Sequence, residues 1–395
     1  MKMNIMPDNF SRILIAVSER SNIIKNMETG KSPEDLKNAI IDTFYPFFEN
    51  KNNLKKSAST LLISDFHEFL IIRKTDFYPF FLSCLDTYKR AKLLESNLCI
   101  EGITLFEPQM TEATGRFWSV FFSQQDLNHL SDDDYLFECL KNIGSIIEGI
   151  SKPFLKSLLF QIKITIGEKP NFKEIDDMSL GDVIVNLINN SGYPELFFPK
   201  PKKIRLNHWR NISYHHTASI NKSIITCIYG SKKKYSISLT KKELAETVIN
   251  ILFILRTIRL ANNIFSTDNI QDLLKHSQDS PSEGRKEIEF ENYVLAIMAQ
   301  GFHVIDFSYD ENKTLVKIRD VLEKEEDDRR IARACMFLVA FWLLTNSKTI
   351  EIECQIKHQN FLLSIDGSDC QKLDSGEFTI SNYLDKIKIV SIGKK

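Results

Sequence analysis

Glycine and proline are scarce in this chain of 395 residues, at 14 and 11. That scarcity argues against a sandwich or barrel, whose many turns consume both, and in favour of long helices. An excess of charge of one sign is also missing. The 51 Lys and Arg balance 52 Asp and Glu, so a surface for a polyanion has to be a local patch. The longest apolar run, 331–344, is shorter than the roughly 20 residues of a bilayer span and reads as a buried helix. Nothing after Met1-Lys2-Met3-Asn4 has the apolar stretch and small-residue cleavage site of a signal peptide. The seven cysteines, Cys84, Cys99, Cys139, Cys227, Cys335, Cys354 and Cys370, contain no C-x-x-C pair and are odd in number. Reduced thiols in the core, a cytoplasmic setting and no membrane association are therefore expected. P-loop, G-x-G-x-x-G and G-x-S-x-G motifs are absent. His303 and His358 lack clustered carboxylate or thiol partners in sequence, so no metal and no cofactor is expected.

The length is too great for one ordinary core and implies two or three domains. Residues 1–135 read as an α-rich N-terminal region of unassigned role, with helical stretches at 10–17 and 39–44, an aromatic and then basic stretch at 77–94, and a strand at 60–63. Residues 136–265 read as a helical domain. Ile143, Ile147, Ile150, Phe154 and Leu158 recur at helical spacing. Leu180, Val183, Ile184, Leu187 and Ile188 do so behind Ser179, an N-cap with Asp182 three residues on. Pro201 suits the first turn of a third helix that carries Trp209 to His215. Residues 224–229 and 235–239 read as a β-hairpin around Gly230-Ser231, and Thr240 with Glu243 forms a capping box that opens a fourth helix. Residues 266–286 have the composition of a linker or exposed loop. Residues 287–395 read as a small α+β C-terminal domain, with strands near 303–307, 314–318, 349–356, 361–365 and 387–392 and helices near 293–300 and up to Leu344.

One segment carries chemistry: Trp209-Arg210-Asn211-Ile212-Ser213-Tyr214-His215-His216. An Arg followed by His after four to six residues is expected about once by chance in a chain of this composition. Here Arg210 is the only Arg that gives such a match, and Asn211 directly after it makes chance more than tenfold rarer. The pattern resembles that of the HEPN ribonuclease family, and RNA can be cut without a metal because its own 2′-OH attacks the adjacent phosphate. Such a cut needs a group that moves protons near neutral pH, which suits His215, and a fixed positive fork for the phosphate, which suits Arg210. Asn211 and His215, four apart, share a helix face. Arg210 lies about 140° round the helix from His215, at about 100° per residue. One helix thus presents the pair poorly to a single phosphate, and a second copy would complete the site.

The Arg210-Asn211-x-x-x-His215 pattern, on the third of four helices, resembles the HEPN ribonuclease family over about a third of the chain. The resemblance implies a mainly α fold: a HEPN-like four-helix bundle with an inserted β-hairpin, flanked by the α-rich N-terminal region and the α+β C-terminal domain. It implies a metal-independent endoribonuclease, toxin-like or antiviral, working as a homodimer with a composite site. Arg210 and His215 are then catalytic and Asn211 supports them, with RNA as substrate and a regulatory partner or antitoxin as restraint. His216, Tyr214, Lys202, Lys203 and Arg205 are the candidate RNA contacts. For Tyr214 packing in the core stands beside base stacking, and for His216 simple exposure stands beside phosphate contact. The rival readings are a HEPN module that binds RNA, a nucleotide or a partner protein without cutting, and an interaction protein whose activity lies in 287–395. Lys232-Lys233-Lys234 reads as a solvated hairpin tip, Asp132-Asp133-Asp134 as an acidic helix start, and Glu351 and Glu353 with Lys357 as a faint carboxylate-nuclease pattern.

Overall fold

The computed structural model describes residues 10, 12–14, 32–123, 127–230, 233–276, 285–322 and 326–394. It is mainly helical, with sheets of three and five strands among the described residues. Two compact units divide the chain: residues 47–54 with 65–284, and residues 1–46 with 55–64 and 285–395.

In the first of these units four helical segments share a core. One runs from Asp132 to Thr165, the second is Leu180–Asn190, the third Leu206–Tyr214 and the fourth Lys241–Asp268. Each start is chemically marked. Ser131, Ser179 and Thr240 each accept a hydrogen bond from the backbone N–H three residues on, and Glu243 returns the bond to complete the capping box at Thr240. The first segment is not uniform. Asp132–Gly144 is α-helical, Ser145–Ser151 widens into a π turn, and Lys152–Thr165 resumes the α-helix. Helix Tyr78–Leu94 packs on both Lys152–Thr165 and Lys241–Asp268, and helix Ser96–Ser123 packs on Lys152–Thr165. These helices therefore belong to the same unit as the four, whereas the sequence had set a boundary near residue 135.

Several expectations are corrected. Residues 60–63 are not a strand: helix Leu62–Ile72 takes their place, because Leu62, Ile63, Phe66, Phe69 and Ile72 continue at helical spacing and are all buried. The helix expected to open at Pro201 opens at Leu206, behind a turn in which Lys203 sits at φ 50 and so cannot be helical. The expected hairpin is a three-stranded antiparallel sheet. Its strand β1 (Ala218–Asn221) pairs with β2 (Ile224–Tyr229), which pairs with β3 (Tyr235–Thr240); a four-residue strand has too few alternations to register as a pattern. Lys232 lies outside the described residues. The expected linker is helical to Asp268 and again at Ile270–His276, while 277–284 lie outside the described residues. Asp268 there accepts the backbone N–H groups of Glu49 and Asn50 at 2.9 and 2.8 Å, a use that its composition does not reveal.

The other unit holds a mixed sheet in the order β4 (Phe302–Tyr309), β5 (Lys313–Asp320), β6 (Thr349–Ile356), β7 (Gln359–Asp366) and β8 (Lys388–Lys394). All neighbours are antiparallel except β5 and β6. Ile350, Ile352, Cys354 and Ile356 alternate into the buried face, on which helices Lys286–Ala299, Asp327–Cys335 and Phe337–Thr345 pack. The apolar run expected as one helix is thus two, broken at Met336. Buried Arg330 holds Asp320 at 2.8 Å and the Gly301 carbonyl at 3.0 Å, tying helix to sheet. Among the described residues, no helix is long and apolar enough to cross a membrane.

Candidate functional site

The helix Leu206–Tyr214, here the motif helix, buries Leu206, Trp209, Ile212 and Ser213 and leaves Arg210, Tyr214 and the following His215 and His216 on its outer side. The spacing of the buried residues is that of one helical face. It packs along helix Asp132–Gly144 and on β2. The two helices approach closely at Gly144, where a Cβ would lie 2.4 Å from the Ser213 hydroxyl oxygen and 3.3 Å from the Tyr214 ring. The Ser213 hydroxyl donates to the Leu140 carbonyl and fixes the register of the two helices. Immediately beyond Gly144 the π turn begins, and it carries Glu148. Such turns are rare and recur at functional sites.

Glu148 meets the motif. Arg210 Nε donates to Glu148 Oε2 at 2.9 Å, and Lys152 Nζ donates to Glu148 Oε1 at 2.8 Å. Arg210 also donates to Asn211 Oδ1 at 3.2 Å, and its guanidinium carbon stands 4.7 Å from the centre of the Tyr214 ring. The Arg210 fork is therefore held on three sides, with its side chain 31% exposed. Burial pushes the Glu148 carboxyl up, but the Lys152 and Arg210 cations outweigh this and hold it below the usual carboxylate range. Two cations share one carboxylate, so the cluster keeps a net positive charge. Tyr214 is half exposed beneath Arg210 and not part of the core, because the helix turns its ring toward Arg210 and Gly144 leaves room for it.

His215 ends the motif helix; its backbone N–H donates to the Asn211 carbonyl at 3.0 Å and the residue is exposed. No hydrogen bond or ion pair joins His215 to Arg210 among the described residues. His216 follows in the left-handed region, at φ 47, and is exposed. Its ring lies parallel to that of Phe137, 8° between planes and 6.2 Å between centres.

The basic residues ahead of the motif do not converge on it as one patch. Lys202 is paired with Glu243 at 2.7 Å, Lys200 with Asp76 at 2.6 Å, and Lys203 lines a separate apolar cavity of about 420 Å³ with Phe77, Phe80 and Ile254. Arg205 donates to His208 Nε2 at 2.8 Å. An arginine only donates, so that nitrogen accepts and His208 is neutral; burial and then the Arg205 charge lower its pKa. The cause of this dispersal is local: Lys200 and Lys202 pair with nearby acids and Arg205 with the His208 ring. Asp132–Asp134 form the first turn of a helix capped by Ser131. Glu351 and Glu353 are paired with Lys313 and Lys317, and Lys357 with Asp327.

Glu148, Lys152, Gly144 and Phe137 escaped the sequence reading. Glu148 left a signal, being the only charged residue in 142–151; a lone carboxylate in an apolar helix needs a partner. Phe137 left none, because a phenylalanine in a helix is ordinarily core. Among the described residues no group of three or more His, Cys, Asp or Glu has the arrangement to hold a metal ion. A scan against family models, a search of curated proteins and a search of solved structures each return no match for this chain.

Proposed function

We propose that this protein is a HEPN-type endoribonuclease that cuts RNA without a metal, by attack of the 2′-OH on the adjacent phosphate. The observation that carries the reading is the Arg210 fork, preset by Glu148, Asn211 and Tyr214, one and a half turns before an exposed His215 on the same helix. Arg210 holds phosphate oxygens and stabilises the charge that grows on the phosphorane. His215 moves the proton. Asn211 and Glu148 position the guanidinium, and Lys152 adds positive charge beside it. Four packed helices with a small sheet between the third and the last also support the reading. Arg210 and His215 make no contact within one chain, which fits a homodimer that builds a composite site from two copies. The toxin-like or antiviral role, the cytoplasmic setting and a regulatory partner that restrains the nuclease come with the family resemblance.

The test is RNA incubated in EDTA with wild type, His215→Ala and Arg210→Ala. Cleavage is expected from wild type alone, with a loss of at least about 100-fold in each variant. Cleavage that survives both substitutions, or that requires a divalent metal, removes the proposal. One observation favours a second reading, a HEPN module that binds RNA without cutting it: Arg210 is already occupied by Glu148. Tight RNA binding by a wild type that never cleaves would select that reading.

A further inference from the structure

Phe137 is 53% exposed, although it stands on a helix whose neighbouring residues Leu136, Glu138, Cys139 and Leu140 are all buried. An isolated exposed phenylalanine needs no explanation. This one is met by a second aromatic ring held in a strained backbone. His216 adopts φ 47, a conformation that costs a non-glycine residue energy, and in that conformation its ring lies parallel to Phe137. The two rings stand on the same pair of packed helix segments as Tyr214 and the Arg210 cluster.

The contacts between the two segments fix the order along them. His216 meets Phe137, Ser213 meets Leu140 and Gly144, Tyr214 lies beside Gly144, and Arg210 meets Glu148. The helices therefore run antiparallel, with aromatic rings at one end and the guanidinium at the other. The two contacts lie six positions apart along the motif segment and eleven apart along the facing helix, about 9 and 16 Å at about 1.5 Å per residue. A cationic cluster that suits a phosphate thus has, farther along the same pair of helices and within a few nucleotides' reach, flat π faces that suit a base. Base stacking on exposed aromatics is how proteins hold unpaired RNA, and it needs no particular sequence.

We propose that the Phe137–His216 pair is a shelf on which single-stranded RNA stacks a base while a phosphate of the same strand sits at Arg210. The proposal rests on the ribonuclease reading and gives that site a base-stacking subsite at two residues outside the Arg210–His215 pattern, where a continuous duplex offers no free base. Phe137 is a positioning residue in this scheme and takes no part in proton transfer.

The test separates binding from cutting by using a 2′-O-methyl RNA decamer, which lacks the attacking hydroxyl, with one 2-aminopurine whose fluorescence falls on stacking. Wild type, Phe137→Ala, Phe137→Trp and His215→Ala are titrated with it, and with the same strand in duplex. Circular dichroism and light scattering establish fold and oligomeric mass. The expected results are a loss of affinity of about 5- to 100-fold and of quenching in Phe137→Ala, and retention of both in Phe137→Trp and His215→Ala. Weaker binding of the duplex, unchanged by Phe137→Ala, is also expected. Equal affinity of wild type and Phe137→Ala for the single strand overturns the shelf. So does a change in oligomeric mass in Phe137→Ala with RNA affinity unaltered, which would make Phe137 an interface between copies. The two proposals fail separately. If His215→Ala abolishes cleavage while Phe137→Ala binds normally, only the shelf falls. If wild type binds in a Phe137-dependent way but never cuts, only the nuclease falls. If wild type binds no RNA, both fall.

Discussion

Replacing Gly144 by Ala tests the helix register on which the candidate site depends. An added Cβ would lie 2.4 Å from the Ser213 hydroxyl oxygen, far inside van der Waals contact, and that oxygen is fixed by its hydrogen bond to Leu140. Ser213 is buried, so it has nowhere to swing. Overpacking of this kind typically costs about 1–3 kcal/mol, whereas alanine in place of glycine within a helix returns about 0.5–1 kcal/mol. A net destabilisation of about 1 kcal/mol is expected. Ser213→Ala removes the offending oxygen and leaves its Cβ at 3.5 Å, an ordinary contact. Alone it loses one hydrogen bond, worth about 1 kcal/mol. In that background only the exposed Tyr214 ring, 3.3 Å from the new Cβ, has to give, so Gly144→Ala should cost less than in wild type by about 1 kcal/mol or more. The assay is urea denaturation of all four proteins, read as a double-mutant cycle. If Gly144→Ala has the same effect with and without the Ser213 oxygen, the two helices do not meet at that point and the placement of Arg210 against Glu148 loses its footing.

Two further outcomes concern buried and shared charge. Asp65 is 7% exposed, and burial raises its pKa from 3.8 to about 6 despite the Asn263 hydrogen bond and Arg259. A carboxyl whose folded-state pKa is raised holds its proton more tightly when folded, so its ionisation costs stability progressively between about pH 4 and 6, in full above. Asp65→Asn, which keeps an acceptor for Asn263, should stabilise the protein at pH 7 by on the order of 2 kcal/mol and flatten that slope. Denaturation at pH 4 and pH 7 checks it, and a variant less stable at pH 7 would contradict it. Glu148 has the opposite sign: its depressed pKa adds stability above the ordinary carboxylate range, and that stability is lost as pH falls through the folded value. Glu148→Gln should cost about 1 kcal/mol at pH 7 and progressively less as the pH falls below the ordinary carboxylate range, while loosening Arg210; a cost that does not fall with pH would show that the charge is not what Arg210 responds to.

Local features were legible. Ser179, Ser131 and Thr240 mark helix starts because a capping side chain acts on a backbone three residues away. Strands β6 and β7 announce themselves by alternation, since one face is buried. Where a pattern was short or ambiguous the reading failed. Leu62–Ile72 begins as an apolar run that suits strand or helix equally, and β1 is too short to alternate. The unit boundary was missed because helix Tyr78–Leu94 finds its packing partners about 70 and 170 residues further along the chain, and no composition shift records that.

The candidate site divides in the same way. The sequence alone determined Arg210, Asn211 and His215, their common helix, and the angle of about 140° that keeps Arg210 and His215 apart, because these follow from spacing on one regular helix. Only the tertiary structure decided what surrounds them. The close approach at Gly144 and the π turn after it bring Glu148 to Arg210 and Phe137 to His216 across more than 60 residues of chain. It also showed that Lys200, Lys202 and Arg205 are committed to other partners. Helical periodicity reaches a turn or two, whereas the partner of a charge is set by which segments the core packs side by side.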